Sequence, residues 1–579
     1  MNEYMTSERG QQILIAALKA HGIRHVIASP GTANMSFVVS IQNDKFFNVL
    51  SSIDERSAAY IACGLSAELD EPVVITCTEA TASRNYLPGL TEAYYRKLPI
   101  LAVTCNHGEE YIGQMVPQVI DRRSIPNDVA NLSVNIPFVK DKADEWCNTI
   151  KINQAILELK RRGGGPVHIN LATHNTAEFH AESVKPSQII KRYFTGQELP
   201  PISAGRVGIF IGSHKRFAEE MVSYIDRFCE KYNAVVFCDQ TSNYFGRYRV
   251  NFSIVSCQEN YSSPLKTVDL LIHLGEVSGE YWHVSSKNTW RVSDDGEIKD
   301  AFKGSLTTVF EMPEKSFFEF FVKDFKNEGM ANDLYQQYCD ECSNAYNKIP
   351  ELPLSNAWIA KRLHKEIPKG AVLHFGILNS LRAWNLFDTP QAYMTSCNVG
   401  GFGIDGCLST MIGASLANPN RIHFAFLGDL AFFYDMNALG NRHVANNIRI
   451  LVVNNGKGTE FRMYWHPAYQ LGDDADRFVA AGGHYGNKSA LLIKSYVEAL
   501  GYKYLCANNK EEFEANYKLF VSEDQQEKPI VFEVFTDSED ETRSISIMRS
   551  LIIDSSFCAK KMLRKQAKSM ISFIKNKMA

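Results

Sequence analysis

Short apolar runs that stop at a glycine, proline or asparagine turn alternate with helical patterns along this chain, and that alternation constrains its fold most. A run at 23–29 ends in Ser-Pro-Gly before a helical stretch, and runs at 72–78 and 100–104 repeat the form. Helical patterns at 57–67 and 87–95 lie between them, and 165–170 (GPVHIN) reads as the last strand of a first unit. Strand, loop and helix in succession build a parallel sheet with helices on both faces. A polar stretch at 176–205, with Pro186, Pro200 and Pro201, reads as a linker. A second α/β unit follows with strands at 207–211, 234–238 and 270–274. A charged, helical segment at 327–353 leads to a third unit with strands at 371–375, 422–427, 448–453 and 530–534. The expected fold class is α/β, with three tandem doubly wound parallel-sheet domains at 1–185, 195–340 and 350–550 and a tail at 555–579.

The length, 579 residues, exceeds what one core serves and suits three domains. Hydrophobic residues at 45% and charged residues at 22% are the balance of a soluble globular protein. A net charge of -4 gives no basic footprint for nucleic acid. The 13 cysteines are scattered without zinc-ligand spacing, which fits a reducing cytosol. Cys63, Cys77, Cys105 and Cys397 lie in apolar stretches and read as buried thiols. The first ten residues are polar, with no apolar signal region, and no run of 18 apolar residues would span a membrane. The expected location is cytoplasmic.

The segment 425–457 (AFLGDLAFFYDMNALGNRHVANNIRILVVNNGK) carries the most chemistry. A strand turns through Gly428-Asp429, a helix is expected over 436–442, and the next strand ends in Asn454-Asn455-Gly456. Both loops open at carboxyl ends of adjacent parallel strands, where α/β sheets place ligands. Mg²⁺ takes oxygen ligands from one or two side chains plus substrate phosphates. Asp429 offers a charged oxygen, Asn455 a neutral one, and the Lys457 backbone carbonyl a third. Two ordinary polar turns are the plainer alternative. Upstream, 398–406 (NVGGFGIDG) holds four glycines that permit close backbone approach, with Phe402 and Ile404 among them. In the first unit a strand over 47–53 leads to Asp54-Glu55-Arg56. A buried Glu55 there needs a partner, although without the third-unit motif a first-turn acid favoured by the helix dipole is the preferred reading.

These motifs resemble those of the thiamine-diphosphate-dependent enzymes, most closely the branch of menaquinone-pathway SEPHCHC synthases. The resemblance covers nearly the whole chain. It includes Ser29-Pro30-Gly31, Asp54-Glu55-Arg56-Ser57, Glu92-Ala93-Tyr94-Tyr95, Gln118 with Ile120-Asp121, Asn379-Ser380, 403–410 (GIDGCLST) and 428–439 (GDLAFFYDMNAL). It implies a pyrimidine-binding first domain, a central domain and a diphosphate- and Mg²⁺-binding third domain. It implies that Glu55 pairs with the pyrimidine ring nitrogen, so that the exocyclic amine can deprotonate the thiazolium carbon. Ile404 would wedge beneath the cofactor and bend it, bringing the reacting atoms together. Asn85, Phe402, Gly428, Asp429, Leu430 and Asn455 fall at cofactor-binding positions. A homodimer or homotetramer with active sites between subunits is implied, since Glu55 of one chain would meet the diphosphate loops of another.

The departures fall on the substrate side. Thr32-Ala33-Asn34 stands where that branch has Ser-Arg-Ser, His107 where it has arginine, Val399 in place of another arginine, and Trp384 in place of a fourth, with Arg382 nearby. Arginines at such places grip carboxylates bidentately, so the acceptor pocket is rebuilt while the cofactor machinery is kept. Glu79 and Arg84 replace small residues; Arg84 is either a displaced clamp or a surface partner of Glu79. Thr32, Arg84, His107, Gln118, Ser380, Arg382 and Glu460 are the candidate substrate contacts. The expected function is a 2-oxo acid decarboxylase and carboligase acting on small molecules with an unidentified acceptor. An orthodox SEPHCHC synthase, a simple 2-oxo acid decarboxylase and a non-catalytic cofactor binder are the alternatives. The tail at 555–579 has seven lysines and arginines, no acid and an apolar helical face. Such a helix either makes peripheral membrane contact or packs on protein with its charges in water.

Overall fold

The computed structural model describes residues 4–174, 179–279, 284–325, 332–484, 489–524, 526–559 and 561. Most of the basic tail therefore lies outside the described residues. The chain divides into two compact units, Met1–Glu198 with Asp295–Glu311, and Leu199–Asp294 with Met312–Ala579.

The first unit holds a six-stranded sheet of β1 (His25–Ala28), β2 (Asn48–Ser51), β3 (Val73–Cys77), β4 (Ile100–Asn106), β5 (Leu132–Ile136) and β6 (Val167–Ala172). Their order is β2-β1-β3-β4-β6-β5, and every pairing is parallel. Strands β3, β4 and β6 are buried at every position, which is why they read as largely apolar runs, with His168 and Asn170 of β6 buried among them. Their alternate side chains serve two cores. Val74, Leu101, Val103 and Ile169 pack with Ile13 and Leu14 of α1 (Arg9–Ala20), Phe37 of α2 (Met35–Gln42) and Ile152 from the helix Lys142–Glu158. Val73, Ile75, Ile100 and Ala102 pack with Ala58, Ala59 and Ala62 of α3 (Glu55–Leu69) and with Leu90 and Ala93. The last two stand in α5 (Leu87–Arg96), which follows the short α4 (Thr81–Asn85). The polar stretch read as a linker contains β7 (Lys191–Phe194), paired in parallel with β15 (Leu306–Glu311). Its partner lies more than a hundred residues away, so no local pattern announces it.

In the second unit, β8 (Val207–Ile211), β9 (Ala234–Cys238), β10 (Arg249–Val250), β12 (Leu270–Leu274) and β14 (Thr289–Ser293) lie in the order β10-β9-β8-β12-β14, all parallel. A separate short pair joins β11 (Thr267–Val268) to β13 (Ser285–Ser286). Strand order reverses between β8 and β12, but an isolated bridge between Ser213 and Glu276 crosses that point. The Glu276 amide donates to Ser213 at 2.8 Å, and a Cβ on Gly212 would lie 2.1 Å from the Glu276 carbonyl oxygen. Only glycine allows this approach.

The last sheet comprises β16 (Val372–Phe375), β17 (Met394–Cys397), β18 (His423–Gly428), β19 (Ile448–Asn454), β20 (Lys503–Ala507) and β21 (Ile530–Phe535), in the order β17-β16-β18-β19-β21-β20. All its pairings are parallel. Renumbered from its own first strand, this order is identical to that of the first sheet. In both, the order reverses between the first and third strands, which opens a crevice at their carboxyl ends. The expected helix over 327–353 is Asp333–Tyr346, with 326–331 outside the described residues. All 13 cysteines are free; Cys63, Cys77 and Cys105 are buried, and Cys397 is half-buried rather than buried. Among the described residues no helix is long and apolar enough to cross a membrane.

Candidate active site

The crevice of the last sheet is built by three loops. β18 ends at Gly428, whose extended backbone caps a helix that begins at once with Asp429 and runs Asp429–Asp435. The sequence pattern places this helix at 436–442; instead a 3-10 turn, Met436–Gly440, occupies most of that stretch. The earlier start follows from Ala431, Phe432 and Phe433, which the helix buries against Leu427, Leu408 and Met411. It places Asp429 in the first turn, where the helix dipole favours a negative charge.

Asp429 is 3% exposed, and burial pushes its carboxyl up to about 7 despite a hydrogen bond accepted from the Gly456 amide at 3.0 Å. Asn455, in the neighbouring loop, has its side-chain oxygen buried without a hydrogen-bond partner. A buried carboxylate beside an unsatisfied amide oxygen is a donor set that a divalent cation satisfies. No atom stands within 4 Å of a Cβ built on Gly428. That space, the bare helix start and the oxygen pair fit a diphosphate held through Mg²⁺. The Lys457 carbonyl receives a long hydrogen bond of 3.5 Å from the Thr459 hydroxyl, while its ammonium pairs with Asp476 at 2.5 Å. Leu430 is half-buried.

Behind the Asn454-Asn455-Gly456 loop stands a network the sequence reading missed. Asn454 donates to Glu533 at 2.6 Å and accepts from the Gly456 amide at 3.2 Å. Tyr504 donates to the other Glu533 oxygen at 2.7 Å. Glu533 is 1% exposed in the middle of β21, and burial raises its pKa against these two donors. A lone acid inside the apolar run IVFEVF was the signal that could have revealed it.

The glycine loop 398–406 precedes the helix Cys407–Ala417. Phe402 has a left-handed backbone, φ 56°, and is half exposed. Ile404 is half-buried and packs against the core beneath the loop. Asp435, the last residue of the helix Asp429–Asp435, ties it to the helix Cys407–Ala417 by accepting the Ser409 amide at 2.6 Å and its hydroxyl at 2.5 Å. Ser380 is buried at the start of the helix Asn379–Trp384, which follows β16 through left-handed Leu378. Arg382 donates to Glu460 at 2.7 and 3.3 Å and to Asn379 at 2.8 Å.

In the first unit, Asp54 caps α3 by accepting the Arg56 amide at 3.0 Å, which fixes Glu55 at the first helical position. Within the chain Glu55 is half-buried, not buried as expected, because β2 ends at Ser51 and leaves it on a helix start. It accepts a hydrogen bond from Asn85 at 3.2 Å, so two residues 30 positions apart meet. Thr32 is exposed at the loop after β1, beside a groove lined by Ser29, Gly31, Asn34 and Leu50. Gln118 is exposed with φ 67°.

Arg84 is not a surface partner of Glu79. It is exposed and donates to the Asp121 carbonyl at 3.0 Å, whereas Glu79 is 4% exposed. His107 Nε2 lies 3.7 Å from Glu79 Oε1. Burial raises the Glu79 pKa, while His107 and Arg122 pull it down. The loops after β3 and β4 thus bring together the two replacements read separately from the sequence.

Two parallel sheets of identical strand order, one ending in the Asp429 and Asn455 loops and the other leading to a helix-start glutamate, fit the class of cofactor-dependent lyases and transferases of the thiamine type. The chain belongs to the thiamine pyrophosphate enzyme family: the N-terminal TPP-binding domain matches residues 8–125 and the C-terminal TPP-binding domain matches 379–534. It is an enzyme that uses this cofactor to make or break carbon–carbon bonds. It is 30% identical over 561 residues to the 2-succinyl-5-enolpyruvyl-6-hydroxy-3-cyclohexene-1-carboxylate (SEPHCHC) synthase of Bacteroides fragilis, covering 92% of this chain and 96% of that one. The synthases of Phocaeicola vulgatus (29%, 91% and 96%) and Christiangramia forsetii (26%, 90% and 95%) are also similar.

Proposed function

We propose that this enzyme decarboxylates a 2-oxo acid and joins the remaining acyl unit to an acceptor other than isochorismate. The observation that carries the cofactor half is the buried Asp429 beside the unsatisfied Asn455 oxygen at adjoining strand ends. Thiamine diphosphate supplies an electron sink next to a carbonyl carbon. Asp429, Asn455 and the Lys457 carbonyl would hold its Mg²⁺, Gly428 and Leu430 would line the diphosphate, and Phe402 and Ile404 would support its bend. Glu55, oriented by Asn85, would share a proton with the pyrimidine nitrogen. In this reading residues 1–185 form the pyrimidine domain, 195–340 the central domain and 350–550 the diphosphate domain. Two copies would complete each site, in the cytoplasm.

The changed acceptor rests on Glu79 beside His107, where the resembled branch carries a small residue and an arginine. A carboxylate there disfavours a second carboxylate. The alternative is the reaction named for the relatives, and identity of 30% across 92% of the chain supports it. The test is to supply the protein, Mg²⁺ and thiamine diphosphate with 2-oxoglutarate, pyruvate and other 2-oxo acids, then measure CO₂ and condensed products by mass spectrometry. A condensed product from 2-oxoglutarate and isochorismate refutes the changed acceptor. Glu55→Gln is expected to keep cofactor binding and lose most turnover; full turnover would remove Glu55 from the mechanism.

A further inference from the structure

In the last sheet β18 lies between β16 and β19. Arg382 stands in the helix that follows β16, and Glu460 in the 3-10 turn Thr459–Arg462 that follows β19. Their ion pair therefore arches across the carboxyl end of β18, the strand that delivers Gly428 and Asp429. The pair is two-pronged, with each Glu460 oxygen receiving a guanidinium nitrogen. Both partners are mostly shielded, with side chains 24% and 18% exposed. The guanidinium is held on its flat side as well: it lies 5.0 Å from the Trp465 ring centre, and Arg549 lies 4.7 Å from that ring. Arg549 is fixed in turn by Glu259 at 3.2 Å, which also accepts from Tyr464 at 2.6 Å.

The guanidinium fork matches one carboxylate. Here the chain's own carboxylate fills it, at the mouth of the loops proposed to hold the cofactor. From this geometry we infer that Glu460 is a specificity-determining residue, an internal carboxylate that occupies Arg382 and discriminates against a carboxylate on the second substrate. The site then selects an acceptor that is neutral where the carboxylate would enter. This rests on the proposed function, since it needs those loops to form the reaction site. Other cations around the loop are quenched in the same way: Lys457 by Asp476, and Arg462 by Asp473 at 3.1 Å and Asp476 at 3.5 Å. Removing the Glu460 charge leaves Arg382 its Asn379 contact and its ring stack, so the fork stays oriented and becomes available.

A binding group available about one-tenth of the time weakens apparent affinity about tenfold. Succinate serves as the probe dicarboxylate, titrated calorimetrically into the full chain with Mg²⁺ and thiamine diphosphate present. Glu460→Gln is expected to bind succinate about tenfold tighter or better than the unaltered protein, and Glu460→Ala should do the same. Adding Arg382→Met to Glu460→Gln should erase the gain. Equal succinate affinity with and without Glu460, no binding by any variant, or a gain that survives Arg382→Met overturns the inference. Cofactor titration of the unaltered protein separates the two claims: failure to bind thiamine diphosphate refutes the proposed function, whereas normal binding with no succinate gain refutes only the role of Glu460.

Discussion

Glu533→Ala tests whether the loop proposed to hold Mg²⁺ is held from behind. The carboxylate is 1% exposed and accepts from Asn454 and Tyr504. Its removal strands two donors, one on a 5% exposed side chain. A buried donor left unpaired costs about 1–3 kcal/mol, so the pair costs about 2–6 kcal/mol. Burial already raises the Glu533 pKa, and relief of that desolvation offsets part of the loss. A net destabilisation of about 2–4 kcal/mol follows. Glu533→Gln keeps the shape and one acceptor but turns an amide nitrogen toward the second donor, so about 1–2 kcal/mol is expected. The change also reaches the proposed Mg²⁺ site. Asn454 accepts from the Gly456 amide, which donates to Asp429 as well. A group bonded directly to a metal ligand is worth about 10–100-fold in metal affinity; Glu533 acts through Asn454, next to Asn455, so about the lower figure is expected. Urea unfolding gives the first quantity and Mg²⁺ titration with thiamine diphosphate present gives the second. An alanine variant within about 0.5 kcal/mol of the unaltered protein, with unchanged Mg²⁺ affinity, would refute the network's role.

Gly31→Ala puts a Cβ 2.3 Å from the Thr78 Cβ, where two strand-end loops meet. The expected cost is about 1–3 kcal/mol, read as a lower unfolding midpoint; an unchanged midpoint would show that the loops yield freely. Glu541 is buried, receives donors from Asn356 and Thr536, and is pushed up to about 7 by burial. A carboxyl whose pKa rises on folding stabilises the fold while protonated, and that contribution is lost as pH climbs from its unfolded value through about 7. Stability should therefore fall by about 2 kcal/mol from pH 5.5 to 7.5 through this group, read as a falling unfolding midpoint, and the slope should shrink in Glu541→Gln. Equal slopes in the two proteins would refute the assignment, because Asp429, which titrates in the same range, is present in both.

Much of the sheet framework was legible because central parallel strands bury both faces. The runs at 73–77, 100–106 and 448–454 are buried at every position and mostly apolar, with no helical spacing of polar residues. The Gly428-Asp429 and Asn454-Asn455 turns were legible for a related reason, since polar residues at the end of an apolar run must face a loop. What escaped were pairings made through space. β7 depends on β15, and Arg382 finds Glu460 78 positions away through two loops. The Glu79–His107 pair was visible only as two separate departures. The helix at Asp429 was placed late because its first turn reads as a continuation of the strand: Ala431, Phe432 and Phe433 are apolar without a helical gap.

The middle sheet differs from its neighbours in one mechanical respect. Its strand order provides the same natural opening, yet Ser213 and Glu276 are sewn together across it, with glycine on each side permitting the seam. That seam lies at the position where a sheet of this wiring ordinarily places a ligand. Grafting a new cofactor onto this scaffold would require unpicking that stitch first, and any bulkier residue at Gly212 would force it apart.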